Sequence, residues 1–237
     1  MHLFFNFTYD TDFQLFLPHA FVAEQRNQSW YLLKKATDEV LKNSPLDLSL
    51  KEKEALILTH SLDPLLLLEK YTDKKHSLYE RYKDKAKKKY IQQQIEEKVN
   101  TLLSLIAQHG LWLVVNCQKE HPLERQLLTL SDKVLQPLLE FEKTPTGIAY
   151  RLFLLDKEKL IPSEHTITLL SQEGSWIVMD HILVQVAPIK ALNLKPFLDK
   201  TTVVIPESTI PEYFNKFLKE IIKKVDISTI GFDIIQK

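Results

Sequence analysis

From Ser175 to Ile235 short apolar and β-branched runs alternate with turn residues and one amphipathic helix, which reads as a set of strands with a helix before the last. SWIVM (175–179) and ILVQV (182–186) have the length and composition of strands, and TTVVIP (201–206) is a third that stops at Pro206. Asp180-His181 between the first two predicts a tight turn, because both residue types tolerate the backbone such turns need. A connector ending in LKPFLDK leads to the third strand. Pro211 then opens an amphipathic helix, EYFNKFLKEIIKKV, with Phe214, Phe217, Leu218, Ile221 and Ile222 as its core face, and DISTIGFDII closes the sheet.

The residues just upstream extend that sheet. LQPLLEFEKTPTGIAYRLFLL reads as two strands joined at Thr144-Pro145-Thr146-Gly147, where proline and glycine occupy usable turn positions. HTITLLS adds another strand, with Gln172-Glu173-Gly174 as a further turn. Residues 123–237 therefore read as a mostly antiparallel sheet covered by one helix.

Residues 1–122 have a different texture. LFFNF, FQLFL, residues 19–23 and SWYLL form a small meander of strands punctuated by Pro18 and the polar EQRNQ. Ser49 and Glu52 make an S-x-x-E capping box that opens one helix, and Asp63-Pro64 opens another. A long helix is expected from about Lys75 to Gln108, its apolar stripe running through Leu78, Tyr82, Ala86, Tyr90, Ile91, Ile95, Val99, Leu102 and Ile106. Gly110 sits where a C-cap belongs, and LWLVVNC (111–117) is a strand. The fold class is α+β, divided into 1–122 and 123–237.

Composition removes several function classes. There are four glycines, none followed by lysine and no two close together, so a Walker A loop and a dinucleotide fingerprint are both excluded. No cofactor is implied. Lysine plus arginine equals aspartate plus glutamate at 31 each, so anion binding would need a local patch. One cysteine precludes an internal disulfide and suits a cytoplasmic location. No apolar run approaches the roughly 18 residues of a membrane span, and MHLFFNFTYDTDF lacks the basic start of a signal peptide.

Few residues carry a chemical signal. Cys117 with His109 or His121 could pair a thiol with a base, but spacing supplies no third group, and a cysteine ending an apolar strand reads as core. The eight histidines show no short zinc spacing. Glu96-Glu97 reads as a solvated helix face and Glu140 with Glu142 as an alternating strand. The run Lys83, Lys85, Lys87, Lys88 and Lys89, interleaved with Tyr79, Tyr82 and Tyr90, is the one nucleic-acid-like feature: lysines on a helix contact phosphates and tyrosines stack on bases. The competing reading makes the lysines a solubilising face and the tyrosines part of the apolar stripe.

Taken in order, Trp176, Leu194, Pro196, Phe197, Leu198, Ile205, Pro206, Tyr213, Phe214, Phe217, Gly231, Phe232, Asp233 and Ile234 resemble the region ahead of the motor in Swi/Snf-type DNA-dependent ATPases, helicase-like proteins of the Bacteroidetes kind. That family shows a tryptophan-centred strand, a K-x-L-x-P-F-L segment, an I-P element, a helix with Tyr-Phe then Phe, and a terminal G-F-(D/E)-I. The resemblance covers the last third of the chain and involves packing residues; it carries over no catalytic residue. It implies a bacterial, non-catalytic accessory region with duplex DNA and the motor domains of the same polypeptide as partners, and a motor continuing beyond Lys237. The alternative is an independent protein-interaction module without a nucleic-acid role.

Overall fold

The computed structural model describes residues 1–71, 85–118, 121–123, 126–157, 159–162, 167–198, 200, 202–221 and 225–231. Helices and strands are both present, the strands arranged in two mixed sheets, an α+β protein. The chain divides into two compact units. The first comprises Met1–Ser131 with Leu170–Gly174 and His181–Leu183; the second comprises Asp132–Leu169, Ser175–Asp180 and Val184–Lys237. A division after residue 122 differs from this partition by the segment up to Ser131 and by the two short returns.

The first unit is built on a four-stranded sheet of β1 (His2–Asp10), β2 (Leu15–Arg26), β3 (Ser29–Lys35) and β4 (Trp112–Val115) in the order β3-β2-β1-β4. β1 pairs antiparallel with β2 and parallel with β4. Leu3, Phe4, Phe5, Asn6 and Phe7 are all buried, so β1 is covered on both faces, as the central position of a strand with continuous apolar sequence requires. Pro18 does not interrupt β2 as the sequence suggests. It lies opposite Phe7 on β1, while β3 begins its pairing only at Phe21, so the missing N–H falls on a stretch with one strand neighbour.

Helices α1 (Asp38–Lys42), α2 (Leu50–His60), α3 (Pro64–Tyr71) and α4 (Lys85–His109) separate β3 from β4. α1 escaped the sequence reading; its five residues start where Thr37 accepts the Val40 N–H. The Ser49–Glu52 capping box forms in both directions. α4 buries Ile91, Ile95, Val99, Leu102, Leu103 and Ile106 and ends at Gly110, whose φ of +62° lets the Leu111 N–H reach the Ile106 carbonyl. The expected helical start at Lys75, with Leu78 and Tyr82, lies outside the described residues. Ala86 and Tyr90 are exposed, so the buried stripe begins at Ile91.

The second unit carries the longer sheet. β5 (Thr129–Thr144) and β6 (Gly147–Asp156) form a hairpin over Pro145-Thr146, continued by β7 (Lys159–Pro162). β8 (Ile167–Leu169), β9 (Trp176–Met179), β10 (Ile182–Val186) and β11 (Thr202–Pro206) complete the order β11-β6-β5-β10-β9-β8, and β12 (Asp226–Ile230) adds to β5 in parallel. Asp180 and His181 make the turn between β9 and β10 with φ of 48° and 65°, the left-handed pair that a two-residue hairpin demands. LKPF lies in a 3-10 helix, Ala191–Phe197. The helix expected after Pro211 is broken: α5 (Ile210–Tyr213) passes into a π-helical turn (Phe214–Leu218) and then α6 (Lys219–Ile221). Ile222 lies outside the described residues.

Candidate functional site

Three places in the first unit bring together groups with chemical potential: the start of α4, a cleft bordered by β2, and a buried carboxylate on α4.

At the start of α4, Lys85, Lys88 and Lys89 fall on one side of the helix by their three- and four-residue spacing, and Lys87 neighbours Tyr90. Lys85 and Lys89 are exposed; Lys87 and Lys88 are half-buried. The Lys88 ammonium lies 5.5 Å from the centre of the Phe13 ring, a cation–π contact. Tyr90 is 46% exposed, which takes it out of the buried apolar stripe. No acid occurs between Lys85 and Tyr90. Lys83, Tyr79 and Tyr82 lie outside the described residues.

The cleft encloses about 600 Å³ and draws on β2, the loop after β3 and the ends of α2 and α3. Phe13, Leu17, Pro18 and Leu62 give it an apolar floor, and Leu66 stands exposed at its edge. Asp10, Asp38 and Asp63 line it together with Lys35, His19 and His60. Local bonding fixes several of these groups. Asp10 Oδ1 accepts the Asp12 and Phe13 N–H groups at 2.9 Å each. His60 Nε2 lies 3.0 Å from the Ala36 carbonyl, so this nitrogen carries the proton and donates. Burial, then the Lys35 ammonium, hold the His19 pKa below the ordinary histidine value, against the opposite pull of Asp63 and Asp10.

Glu96 corrects the sequence reading. Glu97 is exposed as expected, whereas Glu96 is buried. Its Oε2 accepts the Ser171 hydroxyl at 2.6 Å and the Gln172 and Glu173 N–H groups at 2.9 and 3.4 Å. Ser171 Oγ in turn accepts the Gly174 N–H at 3.0 Å. Burial raises the Glu96 pKa above the usual carboxylate range, and the three donors hold it back. The signal was present: Glu96 stands three residues before Val99 and seven before Leu103, on the flank of the stripe. These partners tie a turn to a helix, a structural role.

Cys117 is buried, and burial pushes its thiol up to about 11. A thiol in that state is a poor nucleophile. His109 and His121 are exposed. Asn6, itself buried, donates to the Cys117 carbonyl at 2.9 Å and accepts its N–H at 3.1 Å. This reciprocal pair ties β1 to the residues after β4, a packing role.

In the second unit some of the residues quoted for the family resemblance are buried and others, Pro206 and Gly231 among them, are exposed. Trp176, Leu194, Phe197 and Ile205 are buried. Phe197 meets Tyr150 edge-on at 5.5 Å, Tyr213 lies 5.8 Å from Tyr150, and Phe214 meets Phe141 at 6.1 Å. Phe141 and Tyr150 stack at 5.0 Å. Pro196 is exposed, and Phe232, Asp233 and Ile234 lie outside the described residues.

No protein family, characterised protein or solved structure matches the chain. Among the described residues no helix is long and apolar enough to cross a membrane, and no group of three or more His, Cys, Asp or Glu side chains is placed to hold a metal ion.

Proposed function

We propose that this chain is a non-catalytic accessory region of a Swi/Snf-type, helicase-like ATPase that positions duplex DNA for the motor domains of its own polypeptide. The observation that carries the reading is the start of α4, where four lysines without an intervening acid run into an exposed tyrosine. Lysines on a helix bind phosphates without reading sequence, which is what a translocating motor requires of an accessory surface. The second unit serves as a scaffold in this account, since Phe197 of the resembling segment belongs to its core and Tyr213 and Phe214 pack against that core. A cytoplasmic, bacterial setting goes with the same reading. Following the reading frame past Lys237 tests the link to a motor. A frame leading to a G-K-[ST] loop supports it; a stop codon refutes it.

A second reading is an independent protein-interaction module with no nucleic-acid role. The cleft beside β2 favours it, being concave, apolar at its floor and polar at its walls.

A further inference from the structure

The lysines at the start of α4 are not presented alike. Lys88 stands three residues before Ile91 and seven before Ile95, so it continues the buried stripe of the helix by one turn. The residue is half-buried, and its ammonium lies over the ring of Phe13, a side chain only 1% exposed. Gln92, one turn further along the same side, donates its Nε2–H to the Phe13 carbonyl. The turn that carries Phe13 is itself fixed: Asp10 accepts the Phe13 N–H, and Gln172 donates to the Gln14 carbonyl at 3.3 Å. Two side chains of α4 therefore dock on one residue of the β1–β2 turn. Lys85 and Lys89 lie off that stripe, exposed, one turn apart and about 40° from each other round the helix.

We propose that Lys88 is a positioning residue for phosphate binding: docked on Phe13, it fixes the start of α4 so that Lys85 and Lys89 present their ammonium groups together to the phosphates of a duplex. The inference rests on the DNA-positioning reading and divides its lysines by task, two that touch phosphate and one that orients them. A helix start already held in place does not have to be ordered when the duplex arrives, so the contact with Phe13 raises affinity without neutralising a phosphate.

Duplex binding by the full chain at stepped salt tests this, because affinity and salt slope report the two tasks separately. Lys85→Met and Lys89→Met should each remove a phosphate contact and lower the slope by about 0.9. Lys88→Met keeps an apolar stem over Phe13 and loses the cation. It should weaken binding about threefold while the slope stays within about 0.3 of the parent's. Lys88→Arg, whose guanidinium restores the contact with the ring, should return the affinity to within about twofold of the parent. In the free chain, Lys88→Met should shift the amides of Phe13 and Gln14, and Lys85→Met should leave them in place. Each variant differs from the parent at one residue, so charges elsewhere on the chain cancel in the comparison. A loss of slope on Lys88→Met as large as that on Lys85→Met makes Lys88 a phosphate contact and overturns the proposal. Parental affinity in Lys88→Met, or no rescue by arginine, overturns it as well. Slopes unchanged by Lys85→Met and Lys89→Met in a chain that binds duplex overturn this inference and leave the DNA-positioning reading standing. No duplex binding by the parent defeats both.

Discussion

The Glu96 carboxylate accepts the Ser171 hydroxyl at 2.6 Å across 75 residues of sequence, and the same oxygen takes the Gln172 N–H. A single side chain on α4 thereby accepts the Ser171 hydroxyl and the Gln172 and Glu173 N–H groups of the turn at 171–174. Buried donors left without a partner cost about 1–3 kcal/mol each, so this contact contributes to the stability of the first unit.

Glu96→Ala should cost about 3 kcal/mol in urea unfolding, and Glu96→Gln, which keeps an acceptor, about 1 kcal/mol. An alanine variant as stable as the parent would show that water replaces the carboxylate without loss.

The pH dependence of that contact has a definite sign. Glu96 has a raised folded-state pKa, so above the unfolded value the folded protein binds more protons at this site than the unfolded chain. Stability from this group is largest below the unfolded pKa and is lost as pH rises through the folded one. The stability of the parent minus that of Glu96→Gln should therefore fall as pH increases from about 4.5, the ordinary glutamate value, upward. A difference that grows with pH contradicts the assignment.

Two glycines should respond differently to alanine. At Gly147 an added Cβ would meet the Ile205 carbonyl oxygen at 2.1 Å, with φ at +151°, so Gly147→Ala should cost at least about 2 kcal/mol by forcing β11 away from the hairpin. At Gly110 the φ of +62° is the only obstacle, with nothing within 4 Å, and Gly110→Ala should cost about 1 kcal/mol. Denaturant midpoints for the two variants check the ranking.

Cys117 should resist alkylation. With the thiol buried and its pKa pushed up to about 11, iodoacetamide at pH 8 should modify the folded chain far more slowly than the urea-unfolded one. Equal rates would mean that the strand end opens readily.

Most local structure was legible because it rests on short-range chemistry. The Ser49–Glu52 box, the Asp180-His181 turn, the Pro145-Thr146 hairpin and the Gly110 cap each need only residues within a few positions of one another. What escaped depends on distant partners. Pro18 lies within a strand because β3 starts its pairing later, and Glu96 is buried because Ser171 arrives from another part of the chain. The cleft escaped for the same reason, its residues coming from positions 10 to 66 with no motif spacing. The helix after Pro211 contains a π-helical turn at Phe214, a backbone detail that a 3.6-residue stripe does not encode.

The central claim is that the start of α4 holds duplex DNA by its charge. A fluorescence-anisotropy titration of a labelled duplex of mixed sequence, repeated at stepped salt, measures this directly. The account predicts sequence-independent binding whose logarithm falls linearly with the logarithm of salt, by a slope of about 0.9 for each phosphate neutralised. Combined Lys85→Glu, Lys87→Glu, Lys88→Glu and Lys89→Glu substitutions should abolish it. Binding unchanged by those four reversals, or no binding by the parent chain even at low salt, would contradict the account.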